Sequence, residues 1–380
     1  MTVDRILPSP EAEQLLELAR DIADRELEPR VAQNLTADSY PEGLFALLGK
    51  AGLLGLPWPE EFGGGAQPFE VYLQVIEEFG ARWAAVAVAV SVHGLATHPI
   101  VTFGSEEQKA RLLPAILSGE RVGAYSLSEP QSGSDAANVN TKAVRVDGGY
   151  RIDGTKAWIT NGSKADFYTT FARTGEGSSG GISCFIVPAD TDGLSFGAPE
   201  RKMGLHGIPT TTAHFDGALV SEEARIGREG QGLEIAFSAL DSGRLGISAV
   251  ATGLAQRALD EAITYAKDRT SFGKPIIEHQ GLGFLLADMG AAVDSARATY
   301  LHAARRRDLG RSYSREASVA KLICSDAAMK VTTDAVQVLG GYGYTEDFPL
   351  ERYMRDAKVM QIFEGTNQIQ RLLIARHLAR

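Results

Sequence analysis

The apolar residues of this chain change their spacing twice along its length, and that change limits the fold more than any single motif does. Up to residue 119 they recur as on helices: EAEQLLELARDIADRELEPR has the i, i+3, i+4 rhythm of one buried face. VYLQVIEEFGARWAAVAVAVSVHGLA is apolar nearly all round, which predicts a helix buried on every side. Over residues 120–228 the period falls to two and turn signals multiply, as in AVRVDGGYRIDGTKAWITNG and GISCFIVPADTDGLSF. Helical spacing returns after EGQG and holds through residues 229–380. Leu282, Leu285, Leu286, Met289, Val293, Ala296 and Tyr300 mark one helix face there. In ASVAKLICSDAAMKVTTDAVQVL the polar surface narrows to Asp326, Lys330 and Asp334, as on a helix inside a bundle. The expected class is α+β, with a β domain at 120–228 inserted between helical domains at 1–119 and 229–380.

Several function classes are disfavoured by composition. A net charge of -10 argues against non-specific nucleic-acid binding. No apolar run is expected to reach the roughly 18 residues of a membrane helix. MTVDRILPSPEAEQ lacks the apolar stretch of a signal peptide, so a cytoplasmic location is expected. Two cysteines, Cys184 and Cys324, leave no disulfide framework, and the seven histidines show no HExxH spacing, so no metal site is expected. GxxxxGK[ST] is absent, and no GxGxxG stands between a strand and a helix. GGG at 63–65 reads as a loop, GGYGY at 340–344 as a helix cap, and RRR at 305–307 as a solvated helix end.

Four stretches carry the chemistry: YSLSEPQSGSD at 125–135, KAWITNG at 156–162, LDSGR at 240–244 and QVLGGYGYTEDFPLERYMRDAKVMQIFEGTNQIQR at 337–371. With DRTSFGKPI, they resemble the acyl-CoA dehydrogenase family in order and spacing, over essentially the whole chain. That resemblance implies an N-terminal helical domain, a middle β-barrel-like domain and a C-terminal four-helix bundle. It implies FAD as cofactor, an acyl-CoA substrate, a homotetramer, and electron-transfer flavoprotein as the partner that removes the electrons.

Site residues follow by position. The family's base is the glutamate of EGT, here Glu364, with Phe363 shielding it and, like Gly365, which lets the backbone bend, expected at the substrate; Thr366 caps the helix that resumes, and the resemblance implies that Thr366 and Gln368 contact the cofactor. Ser126, Leu127, Ser128, Gly133 and Ser134 match the flavin-binding loop, Ser134 lying near flavin phosphate or the pantetheine arm. Trp158, Ile159 and Thr160 match the segment against the flavin ring, although a strand tryptophan is ordinarily core. Arg269, Ser271, Phe272 and Gln280, and a second segment of Gln337, Leu339, Gly340 and Gly341, match what a neighbouring subunit offers to FAD. Asp241 and Arg244 match positions by the substrate, and their i, i+3 spacing also predicts an intrahelical ion pair.

Two departures bear on the chemistry. Phe363 stands where many relatives carry tyrosine, and Gly243 stands where one branch of the family carries its base, which leaves Glu364 as the base. The C-terminal half most resembles short-chain or butyryl-type members. Two alternatives remain: an oxidase of the same superfamily that uses oxygen, and a non-catalytic helical interaction protein.

Overall fold

The computed structural model describes residues 3–175 and 181–379. The N-terminal part is helical: α1 (Pro10–Ile22), a π-helical turn (Ala23–Leu27), α2 (Glu28–Ala37), α3 (Leu44–Lys50), α4 (Phe69–Arg82), α5 (Ala84–Phe103) and α6 (Glu106–Leu117). Ser9 caps α1 ahead of Pro10, and Ser105 and Gln108 form a capping box at the start of α6. A β region follows, with β1 (Gly123–Ser126), β2 (Lys142–Val146), β3 (Gly149–Thr160), β4 (Phe167–Arg173), β5 (Ile182–Pro188), β6 (Leu194–Phe196), β7 (Thr210–Ser221) and β8 (Arg225–Ile226). Their order in the sheet is β6-β7-β3-β2-β4-β5-β8, and β1 lies parallel against β4. The chain then forms α7 (Gly232–Asp268), a short hairpin of β9 (Thr270–Ser271) and β10 (Lys274–Pro275), α8 (Gln280–Asp308), α9 (Ser314–Leu339), α10 (Leu350–Met360) and α11 (Asn367–Leu378).

Helix α7 is the axis of the molecule. Its 37 residues span about 55 Å. It is buried along its middle, where α4, α5, α8 and α9 pack against it. Helices α7 and α9 run parallel: Arg244 and Lys321 face the same carboxylate, Ser248 and Thr252 adjoin Cys324, and the Tyr265 and Tyr342 rings lie 6.4 Å apart. The expected stripe on α8 is borne out, Leu286, Met289, Val293, Ala296 and Tyr300 all being buried.

Two expectations are corrected. Helix α5 is long and apolar enough to cross a membrane by length and composition, so an apolar run of that size does exist; here it is a core helix, almost entirely buried within the protein. The arginines ending α8 are a solvated end only in part: Arg305 is exposed and Arg306 and Arg307 are half-buried, and each also meets another residue. Arg305 pairs with Glu70 at 2.7 Å, Arg306 donates to Ser312 O at 3.0 Å, and Arg307 stacks 3.5 Å over the Phe69 ring.

One buried charge network ties the N-terminal arm to this frame. The Glu77 carboxylate accepts hydrogen bonds from Arg5 and Arg297, both at 3.0 Å, and from the Tyr300 hydroxyl. Burial works to raise its pKa, but Arg5 and Arg297 outweigh burial and hold it below the usual carboxylate range. Glu77→Ala removes the buried carboxylate that Arg5 and Arg297 share, leaving Arg5 only Glu78 and Arg297 only the exposed Asp294 as anionic partners. It should lower the unfolding free energy by about 3–5 kcal/mol in a denaturant titration.

Candidate active site

The sequence reads as one regular helix through QIF, but α10 stops at Met360, three residues before Phe363. Val359 O accepts from Ile362 N at 2.8 Å and from Phe363 N at 3.0 Å, closing a turn. Two successive residues then take left-handed backbone, Glu364 at φ 54° and Gly365 at φ 84°. Glycine does this freely, whereas a glutamate there costs about 1–2 kcal/mol. The conformation is held by side chains on either side. Lys321 Nζ of α9 donates to Gly365 O at 2.8 Å and to Asn367 Oδ1 at 2.9 Å. Gln370 Nε2 donates to Gly365 O at 2.9 Å and Glu364 O at 3.1 Å. Thr366 Oγ1 accepts from Ile369 N at 3.2 Å, capping α11 as expected.

This turn places the Glu364 carboxyl against α7. The residue as a whole is half-buried, but Oε2 is sealed from solvent and accepts no hydrogen bond among the described residues. A Cβ placed on Gly243 would stand 2.8 Å from that oxygen and 3.0 Å from Leu95 Cδ1, so a side chain there would have to push the carboxyl or Leu95 aside. Burial pushes the Glu364 pKa up to about 7, while Arg244 and then Lys321 pull in the opposite direction. Burial likewise pushes Lys321 down to about 7, with Glu364 opposing and Arg244 reinforcing the change. Arg244 is buried and pairs with Asp241, the intrahelical pair that their spacing predicts. Its Nε has no partner among the described residues. The Tyr125 hydroxyl of β1 donates to Ala236 O of α7 at 3.3 Å and feels the Glu364 charge, so β1, α7 and the turn converge.

The β1 end supplies the other wall. Ser126 is fully buried, yet its Oγ lacks a partner among the described residues. Leu127 is buried, Ser128 half-buried, and Gly133 and Ser134 are exposed; a Cβ on Gly133 would meet nothing within 4 Å. A buried ion pair shapes this loop. Glu129 accepts from Lys156 Nζ at 2.8 Å and from the backbone N–H groups of Asn140 at 2.6 Å and Thr141 at 2.9 Å. Lys156 also donates to Leu127 O at 2.9 Å. Burial tends to raise the Glu129 pKa, but Lys156 and the hydrogen bonds bring it down to about 2.

Trp158 is not the core residue that a strand tryptophan ordinarily is. Lys156 pairs with Ala213 and Ile159 with Thr211, so β3 spends one residue more than β7 across that interval. The extra residue makes a bulge with Trp158 at φ 63°, and its ring is 64% exposed. Ile159 points into the core and Thr160 is half-buried. An exposed ring, an unpartnered buried hydroxyl at Ser126 and open space at Gly133 are what a large, flat, polar-edged cofactor needs, so this loop fits FAD.

The remaining candidates lie elsewhere. Arg269 follows Gly243 by 26 residues along α7, about 39 Å of helix. It stands at the hairpin whose turn, Phe272-Gly273, takes positive φ at both residues and leaves Phe272 95% exposed. Ser271 is half-buried and Gln280 exposed. Gln337, Gly340 and Gly341 are exposed at the same end of the bundle, whereas the Leu339 side chain is packed in the core and offers only backbone to a ligand. The two segments thus sit together, remote from Glu364 of their own chain. Phe363 is half-buried against the helical core, and Gln368 is exposed on α11.

Lys321, Gln370, Asn367, Glu129 and Lys156 were not singled out by the sequence. The available signal was a lone lysine amid Ala, Ile, Cys and Ser in ASVAKLICSD, on the face of α9 opposite its polar stripe.

Two outcomes follow from the sealed carboxyl. Gly243→Ala should displace it and cut activity at least about tenfold without loss of fold, measured by steady-state assay beside circular dichroism. Glu364→Gln should make the protein more stable at alkaline pH. A carboxyl whose folded pKa is raised from 4.5 to about 7 lowers stability as pH climbs through that window. The gain should reach about 3 kcal/mol near pH 8 and vanish below about 4.5, measured by urea unfolding across pH.

Comparison with known proteins agrees with this arrangement. Residues 9–120, 124–218 and 230–379 match the N-terminal, middle and C-terminal domains of acyl-CoA dehydrogenase, respectively. An acyl-CoA dehydrogenase of Bacillus subtilis is 46% identical over 95% of this chain and 96% of its own. The human mitochondrial short-chain specific acyl-CoA dehydrogenase is 40% identical over 100% of this chain and 93% of its own. Among solved structures, butyryl-CoA dehydrogenase from Megasphaera elsdenii superposes with a TM-score of 0.97 at 38% identity, covering all of both chains. A chain from work on the electron transferring flavoprotein of Acidaminococcus fermentans does so with 0.97 at 40% identity, again over all of both chains. With matching domains from residue 9 to residue 379, a shared fold and a sealed glutamate in the EGT turn, this chain belongs to the acyl-CoA dehydrogenase family.

Proposed function

We propose that this FAD-dependent acyl-CoA dehydrogenase acts on short-chain acyl thioesters, forming the trans-2-enoyl product with Glu364 as base and electron-transfer flavoprotein as electron acceptor. The observation that carries this reading is the Glu364 carboxyl: its Oε2 is buried and unpartnered, over a glycine on α7, with its pKa raised to about 7. When bound, FAD supplies the acceptor for the β-hydrogen, which leaves as hydride. The rest falls to the chain. Glu364 takes the α-proton, and because its pKa lies near neutrality it is both ionised often enough and basic enough to do so. Gly243 leaves room for the carboxyl and provides no competing base. Phe363 covers the turn with a ring that lacks a hydroxyl. Arg244 and Lys321 oppose the burial that would otherwise keep the carboxyl protonated.

Short-chain preference rests on relatives named short-chain specific in human mitochondria and in Megasphaera elsdenii. The electron acceptor rests on the likeness to the chain solved in the electron-transferring flavoprotein work. We further propose a homotetramer acting in the cytoplasm. The clustering of Arg269, Phe272, Gln337 and Gly340 far from Glu364 suits residues offered to a neighbouring subunit's FAD.

Glu364→Gln tests the assignment. It keeps the side chain's shape and removes its basicity, so anaerobic flavin bleaching by saturating butyryl-CoA should slow by at least about 10²–10⁴-fold with FAD retained. Near-normal bleaching would remove Glu364 from the chemistry. An oxidase, as in a solved prolyl acyl carrier protein oxidase 28% identical to this chain, is separated by mixing the reduced protein with oxygen, where slow reoxidation means dehydrogenase.

A further inference from the structure

We propose that Lys321 is a positioning residue for the reaction: its ammonium fixes the left-handed turn that carries Glu364 and sets its charge facing the Glu364 carboxyl, a role that rests on Glu364 being the base.

The placement of Lys321 is the first observation. It is fully buried on α9, on a face otherwise formed by small or apolar residues such as Ala317, Ala320, Cys324 and Ala328. A lysine is among the least favoured residues for complete burial unless its ammonium is engaged. Here the engagement is with the EGT turn itself: Gly365 O at 2.8 Å and Asn367 Oδ1 at 2.9 Å. Gly365 is the residue directly after the base, and Asn367 opens the next helix. The two bonds therefore bracket the point where the chain reverses. Asn367 is fixed in turn, its Nδ2 donating to Asp326 Oδ1 at 2.7 Å. Gln370 shares the Gly365 carbonyl from the other side. A non-glycine residue persists in left-handed backbone only where its surroundings over-determine it.

Charge is the second observation. The charged and titratable groups bearing on Lys321 and on Glu364 are Glu364 itself from the turn, Arg244 from α7, Asp326 from α9 and Tyr125 from β1, whereas α5 and α11 offer there the uncharged Leu95 and Gln370. Of these, Arg244 is already paired with Asp241. Lys321 instead gives its hydrogen bonds to the turn that carries the carboxyl, so removing it deletes the geometry and one of two opposing cations together. Without that cation, burial acts on Glu364 with less opposition, and the carboxyl must titrate at a higher pH.

Three variants separate these roles: Lys321→Met removes both hydrogen bonds and charge, Lys321→Gln keeps a donor without charge, and Lys330→Met removes an exposed partner of Asp334 on the same helix. Two measurements apply. One is the anaerobic reduction rate with butyryl-CoA across pH. The other, independent of turnover, is infrared titration of the Glu364 carboxyl in the ligand-free protein, assigned by its loss in Glu364→Gln. Lys321→Met should lower the limiting rate at least about tenfold, leave KM within about threefold, and move both pH midpoints alkaline by about one unit or more. Lys321→Gln should recover part of the rate and none of the midpoint. Lys330→Met should match the parent.

A purely structural lysine would change stability and leave the midpoint in place, and that result in Lys321→Met overturns the proposal. Where the Met variant fails to fold, an unmoved infrared midpoint in Lys321→Gln overturns it equally. Full bleaching by Glu364→Gln would instead defeat the assignment of the base. Collapse in Glu364→Gln beside parental behaviour in both Lys321 variants defeats only the role of Lys321.

Discussion

Close approach to the backbone of α7 is the constraint on which the rest of the structure depends. A Cβ on Gly246 would lie 2.1 Å from Ser91 Oγ of α5, and one on Gly253 would lie 2.1 Å from Glu77 O of α4. With Gly243 under the Glu364 carboxyl, three glycines on one helix let two core helices and the EGT turn touch its main chain. Three glycines inside a helix lower its intrinsic stability by about 0.5–1 kcal/mol each. Packing offsets this, because α4 and α5 are buried nearly throughout and the N-terminal and C-terminal helices share one apolar core. The site is therefore built on the most deeply supported part of the molecule, as a side chain that must be held to within a fraction of an ångström requires.

The buried charges obey a common logic. The ion pairs of Glu129 with Lys156 and of Glu77 with Arg5 and Arg297, and the hydrogen bonds of the buried Lys321 to Gly365 O and Asn367, each fix a piece of irregular backbone or an arm that no regular hydrogen-bond ladder reaches. Such pairs add little net stability compared with apolar replacements, but removing one partner is severe. Their value here is geometric. The Glu129 pair ties the loop after β1 to β3, just where Ser126, Leu127 and Trp158 are displayed. The Lys321 hydrogen bonds do the same for the turn that displays Glu364.

Period and spacing made most of this legible. The switch from 3.6 to 2 and back locates the helical and β regions, and the Thr366 cap and the Asp241–Arg244 pair follow from local rules about helix ends and helix faces. What the sequence concealed depends on non-local geometry. The exposure of Trp158 comes from one extra residue on β3 relative to β7, a mismatch between strands 50 residues apart that neither strand reveals alone. The early end of α10 has a similar origin. MQIF continues the helical pattern, but Lys321 and Gln370 capture the carbonyls beyond it, and both come from other helices. Gly243 was recognisable by resemblance, whereas Gly246 and Gly253 matter through partners on α5 and α4 that lie far away in the chain. Length misled once: α5 has the composition of a membrane helix because it is surrounded by protein on nearly every side, and the two environments select the same residues.

The same surroundings explain why a base in an apolar pocket stays usable. Burial alone can shift a carboxyl by several units, far enough to leave it protonated and inert at neutral pH. Near Glu364 that tendency is strong enough to raise the pKa from 4.5 to about 7, and it stops there with Arg244 and Lys321 opposing it. A thioester entering such a site would exclude further water, strengthening both the burial effect and the attraction of Arg244, since both grow as the local dielectric falls, while the same burial makes Lys321 give up its proton more readily. Because burial and the Arg244 attraction grow together, the carboxyl can gain basicity as substrate displaces water without losing its negative charge beforehand. A pocket lined only with apolar side chains would lack that balance, which is a physical reason for placing a buried guanidinium beside a residue whose task is to accept a proton.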